Sequence, residues 1–438
     1  MTYNMMRRRT ALTLPLGLLA SCSTPKPKII GLQVPVLPVV NGMDVAADAP
    51  LVTVPPAVAL AAWPQALGNA AHAPGNAAGP DGFTPRWHAS AGAGAGYRQP
   101  LQASPLLAAG QVFTLDANAA ISAFDAKDGS RNWHMPTRPK HHSEQNIGGG
   151  IAYDSGRIYA STGYGELLAL DAQNGKILWR QTLDFPPRTA PMVAGGLAAV
   201  VVQNDLLLTF DAVSGTPGWR FTGSAVANTG TAVAITGAPA FADGIIVAGF
   251  SSGTLAALDA NSGTPLWEKS LTSSYGQASP LDFSDIVAAP VISGGVVYAI
   301  GLGNTAMAVD LHSGAAVWTH SASGTQAFCL VGGFAYLLDK SQTLYAIHAD
   351  DGLVSWALKM PGFKNMKKKN GPILWNGPVM VGGVLLLTND HGEMALVEPV
   401  NGSIGSTVKL EGPADMPPIA ADGLLVQLTR KAELTAYA

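Results

Sequence analysis

Two cysteines in 438 residues exclude a fold stapled together by disulfides. Charged residues make up only 13% of the chain, and the formal net charge is −3. That balance gives no basic surface for nucleic acid. The apolar stretch at the start, residues 11–20, is too short to cross a bilayer as a permanent helix. Catalytic signatures are missing as well. No Gly-x-Ser-x-Gly elbow occurs, and Gly148-Gly149-Gly150 lacks the strand-before, helix-after setting of a phosphate loop. The adjacent pair His141-His142 points to opposite sides of an extended chain and has no matching carboxylate or cysteine set, so it reads as a solvated loop and no metal site is expected.

What the chain has is a repeat. A small residue is followed two places on by an acid, then after four residues by glycine, then after four more by tryptophan. It reads Ala123…Asp125…Gly129…Trp133, then Ala169…Asp171…Gly175…Trp179 and Thr209…Asp211…Gly215…Trp219. It continues as Ala257…Asp259…Gly263…Trp267, Ala308…Asp310…Gly314…Trp318 and Ala346…His348…Gly352…Trp356, where histidine replaces the acid. A degenerate seventh copy reads Glu398…Gly402…Ser406. The glycines step by 38 to 51 residues, the length of a four-stranded propeller blade. The 50 glycines and 31 prolines punctuate many short strands, and 47% hydrophobic residues suit blades buried on both faces. Glycine in each third turn supplies the positive φ of a tight hairpin. Tryptophan opens the outer strand as a wedge against the next blade, and the small residue two places before the acid is where that neighbour is expected to pack.

The termini indicate how the ring shuts. Glu433–Tyr437 matches the strand before a signature and then the chain stops, while Pro85-Arg86-Trp87-His88 looks like the tryptophan strand that this last blade lacks. Joining them removes the open sheet edge. The expected fold is therefore all-β, an eight-bladed β-propeller of four-stranded antiparallel blades over 81–438, with the last blade closed by N- and C-terminal strands. A seven-bladed ring is the alternative.

Upstream, Arg7-Arg8-Arg9, the apolar stretch and Leu19-Ala20-Ser21-Cys22 resemble a lipoprotein signal, so residues 1–21 are expected to be cleaved and Cys22 acylated. Ser23 after the cysteine points to the outer membrane, on its periplasmic face. Residues 22–80, rich in proline and alanine, read as an extended lipid-anchored tether with at most a short helix between 57 and 62, and Trp63-Pro64-Gln65 as the first touch on the ring. Cys329, in the apolar run Phe328-Cys329-Leu330-Val331, reads as core packing.

The repeat resembles that of pyrroloquinoline-quinone propeller enzymes, which hold quinone over a tryptophan floor beside calcium. This chain lacks adjacent cysteines, and its signature tryptophans already have structural work. With the lipobox, the tether, Trp63-Pro64-Gln65 and the stretches Gly149-Gly150-Ile151-Ala152-Tyr153, Ala248–Gly253 and Gly371–Pro378, the chain resembles the BamB family, in particular its alphaproteobacterial members. These are lipoprotein subunits of the outer-membrane β-barrel assembly machinery. The resemblance implies a non-enzymatic scaffold without a cofactor that binds periplasmic domains of the barrel-inserting subunit. It implies contacts through loops beside blades 3 to 5: Val233, Ala234, Ile235 and Thr236 in one, Ser284 and Asp285 in the other. The basic run Lys364, Lys367, Lys368 and Lys369 is a candidate contact for an anionic surface or acidic partner. A quinone-dependent dehydrogenase and an envelope-ligand-binding lipoprotein remain the alternatives.

Overall fold

The computed structural model describes residues 43–97, 99–140, 145–223, 237–272, 283–365 and 367–438. The signal segment, Cys22, His141-His142 and Val233–Thr236 lie outside the described residues. Eight four-stranded antiparallel sheets form an eight-bladed β-propeller. In the first blade the strands run Leu106–Ala108, Gln111–Leu115, Ala120–Asp125 and Arg131–Pro136, from the axis outward. Six more blades repeat this meander over 149–182, 192–222, 240–270, 291–320, 329–359 and 375–409. The eighth consists of Ile419–Ala421, Leu424–Leu428 and Glu433–Tyr437, completed by Pro85–Ser90. Trp87 pairs with Ala436 and Pro85 with Tyr437, so the first and last strands close the circle as the sequence predicts.

One contact holds the blades to each other and recurs seven times. Each signature tryptophan lies against the turn glycine of the following blade. A Cβ on Gly175 would stand 2.5 Å from the Trp133 ring, and φ there is +72°, so glycine is required for both space and conformation. The indole N–H then donates to a backbone carbonyl in that same turn. Trp133 reaches Ala172 at 3.0 Å, Trp267 reaches Leu311 at 2.8 Å, and Trp87 of the closing strand reaches Ala126 at 2.9 Å. The small residue two places before the acid pairs across the strand with its own blade's tryptophan, as Ala123 does with Trp133, and packs against the next blade as expected, in one apolar cluster with Ile151, Ile158 and Leu170.

The acid shapes the turn. The Asp211 carboxylate accepts from the backbone N–H groups of Val213 and Ser214 and from the Ser214 hydroxyl. Ser214 and Ser313 hydroxyls hold the Asp211 and Asp310 carboxyls below their ordinary range, and the Ser262 backbone N–H does the same for Asp259. In the sixth blade His348 Nδ1 lies 2.9 Å from the Asp351 carboxylate in place of that arrangement. Ser406 stands where the seventh tryptophan would be, and the ends of the chain explain why. The eighth blade joins two termini at this point, so it has no turn glycine to receive a ring.

Candidate docking surface and the axial strap

Antiparallel order sends the first and third turns of every blade to one face, the turn face. The second turn and the link to the next blade lie on the opposite, connection face. The chain before the ring crosses the axis at the turn face. From residue 43 onward it is not a free tether. Trp63 is 2% exposed, Ala77 is fully buried, and the span 57–62 forms no helix.

Its backbone visits the inner strands in turn. Trp63 exchanges two backbone hydrogen bonds with Leu107 of the first blade. The Pro64 carbonyl accepts from Tyr153 of the second blade at 2.7 Å. The Gln65 amide imitates a strand, donating to the Val193 carbonyl at 2.6 Å and accepting from its N–H at 3.1 Å. Carbonyls of Ala70 and Ala71 accept from Phe241 and Ile292 in the fourth and fifth blades, Ala77 bridges Val381 in the seventh, and Leu60 accepts from Asp422 in the eighth. The sixth blade is met earlier, where Ala46 donates to Val354 at 2.9 Å. An innermost strand is an open sheet edge, and this strap satisfies part of it in the first to fifth and the seventh blades. Trp63-Pro64-Gln65 is thus the point where the chain enters the ring centre, and first contact comes nearer Val45.

Behind the strap lies an axial cavity of about 260 Å³ that faces the connection face, with Trp63, Leu67, His72 and Pro74 on its floor. His72 Nδ1–H donates to the Pro290 carbonyl at 2.7 Å, and burial pushes its imidazole down to about 4 against the opposing effect of that bond. The lining does not suit a quinone–calcium centre. Its one carboxylate, Asp415, is paired with Arg430, and among the described residues no group of three His, Cys, Asp or Glu is placed to hold a metal. Cys329 also lines this region; burial pushes its thiol up to about 12, which keeps it protonated and inert, in keeping with a packing role.

Of the sequence-predicted partner residues, Ser284 and Asp285 are described, and both fall on the connection face. Ser284 is half-buried and its hydroxyl donates to the Ser251 carbonyl at 3.0 Å. Asp285 is 1% exposed, and its carbonyl accepts from Leu302. Asp285 is therefore an internal support rather than a contact. Ser251 and Ser252 in turn donate backbone N–H groups to Asp205 of the third blade at 2.7 and 2.9 Å. This chain of polar bonds ties the second turns of blades 3 and 4 to the described end of the link that leads into blade 5. Sequence reasoning missed the apolar residues presented around it: Phe185 and Phe283, each 37% exposed, with Ile147, Tyr97 and Leu374 on other links of the same face. Single apolar residues inside polar links were the available signal. Lys364, Lys367, Lys368 and Lys369 sit on a separate two-stranded hairpin, Phe363–Asn365 with Asn370–Pro372, projecting from the link between the sixth and seventh blades.

The family described as outer membrane protein assembly factor BamB is matched over residues 117–358. The Yersinia pestis protein of that name is 26% identical over 355 residues, covering 78% of this chain and 85% of that protein. The crystal structure of BamB from Moraxella catarrhalis superposes with a TM-score of 0.66 at 19% identity, covering 81% of this chain and 99% of that one. Quinohemoprotein alcohol dehydrogenase from Comamonas testosteroni superposes as well, with a TM-score of 0.67 at 12% identity over 86% of this chain and 80% of that one. Likeness at such identities shows the shared propeller alone. The match over more than half the chain is to proteins named for assembly and not for catalysis. On that match the chain belongs to the outer membrane protein assembly factor BamB family.

Proposed function

We propose that this protein is a scaffold lipoprotein, anchored by an acylated Cys22 to the periplasmic face of the outer membrane, that holds periplasmic domains of the barrel-inserting subunit. The observation that carries this reading is the connection face of blades 3 to 5. There a hydrogen-bonded chain runs from Asp205 through Ser251 to Ser284, and Phe185 and Phe283 stand exposed on links of the same face. Rigid loops carrying a few apolar anchors suit docking, because little conformational entropy is lost on binding. Val233, Ala234, Ile235 and Thr236, which lie outside the described residues, remain contact candidates with Ser284. Strand addition by a partner is favoured at the outer blade edges, since the strap already bonds to six of the eight inner ones.

Affinity purification from solubilised envelopes followed by mass spectrometry tests the reading. The barrel-inserting subunit is the expected catch. Its absence, or recovery of only a polysaccharide or other envelope ligand, would overturn the proposal. Cys22→Ser is expected to abolish acylation, read as loss of labelled palmitate from the purified protein.

A further inference from the structure

Six of the fourteen lysines of this chain fall between positions 340 and 369: Lys340, Lys359, Lys364, Lys367, Lys368 and Lys369. Lys340 occupies the second turn of the sixth blade and Lys359 ends its outer strand, with Nζ donating to the Ser341 carbonyl, so both lie at the connection face. The other four follow directly on the two-stranded hairpin. All four are exposed, and among the described residues none lies within ion-pair distance of a carboxylate. The hairpin turn is fixed locally: the Lys368 N–H donates to Asn365 Oδ1 at 3.0 Å, and the strands pair Phe363 with Pro372 and Asn365 with Asn370. Leu374, 59% exposed, follows it. A protein of net charge −3 thus concentrates unneutralised positive charge on one rigid finger beside an exposed apolar side chain.

The other end of the same outer strand receives the chain from the N-terminus. Val45 bridges Val354, the first residue of Val354–Lys359, and the strand of six residues spans about 20 Å. Only 20 residues lie between Cys22 and Met43, so the anchor point can lie no farther than about 75 Å from the sixth blade.

We propose that the hairpin 363–372 is a second membrane contact that binds the headgroups of anionic phospholipids and turns the rim of the sixth blade toward the bilayer. One lipid signal combined with a basic patch gives a stable, oriented attachment where either alone is weaker. The choice of lipid over an acidic protein rests on the lipid-anchor reading above, because it is the anchored chain that enters at this blade.

The test uses the full chain with Cys22→Ser, so that no acyl group contributes, compared with the same chain carrying Lys364→Gln, Lys367→Gln, Lys368→Gln and Lys369→Gln. Both are sedimented with vesicles of phosphatidylcholine alone or mixed with phosphatidylglycerol; the signal segment contributes equally to the two proteins. The parent is expected to partition onto the phosphatidylglycerol vesicles, less so as salt rises, and the quadruple variant to bind them about a hundredfold more weakly with an unchanged melting temperature. Equal binding by the two proteins would overturn the proposal. Loss of co-purified barrel-inserting subunit by the quadruple variant, with vesicle binding unchanged, would instead assign the finger to an acidic protein surface. Failure of the scaffold reading leaves the vesicle result standing, so the two are told apart.

Discussion

The ring and the strap across its axis are built on opposite plans. In the ring, one contact is used seven times: a tryptophan on a neighbouring glycine, its N–H on the carbonyl beside it. In the strap, every contact is different, from the paired backbone of Trp63 to the strand-mimicking amide of Gln65 and the buried imidazole of His72. The ring can only be stable as a whole, since each blade buries its faces on its neighbours. The strap depends on the ring but the ring's interfaces do not depend on it. Strength should therefore be distributed in the first and concentrated in a few residues in the second.

The largest expected effect is in the ring. Trp267→Ala empties a buried wedge and strands the Leu311 carbonyl, and should cost about 4 kcal/mol, read as a fall in the denaturant midpoint for the whole protein. Next comes acid sensitivity of the strap. His72 titrates near 6.5 in the unfolded chain and near 4 when buried, so the unfolded state binds more protons between those values. Stability from this group is complete above pH 6.5 and is lost as the pH falls toward 4, by roughly 3 kcal/mol in total. Amide exchange across 60–77 should accelerate over that window before the blades respond, and His72→Phe should flatten the dependence. The smallest effect sharpens the comparison most. Among the described residues the Trp63 indole N–H meets no acceptor, whereas that of Trp267 bonds Leu311 at 2.8 Å. Trp267→Phe should cost about 1–2 kcal/mol and Trp63→Phe close to nothing, by paired melting curves.

This division also governs what could be read from the sequence. Asp-x3-Gly-x3-Trp is visible because a ring forces the same interface to recur, so Trp133, Gly175 and their counterparts announce themselves by period, and the matching ends 85–88 and 433–437 follow. The strap has no period. Ala70, Ala71 and Ala77 bind through main-chain groups that any residue possesses, so nothing in their side chains marks them. Proline frequency suggested an extended chain; the ring edges that capture 43–80 are a tertiary property. Asp285 failed as a contact for the same reason, since exposure is decided by how the 283–290 link folds back on Ser251 and Leu302. Phe283, beside it, carries the exposed surface.

The account stands most directly on whether the connection face of blades 3 to 5 holds a partner. Phe185→Glu with Phe283→Glu alters only exposed side chains there and should leave the melting temperature within a degree or two of the parent. Purified side by side from solubilised envelopes, the parent should retain the barrel-inserting subunit and the double variant should lose it. Undiminished recovery with the double variant, or no recovery with the parent, would contradict the account.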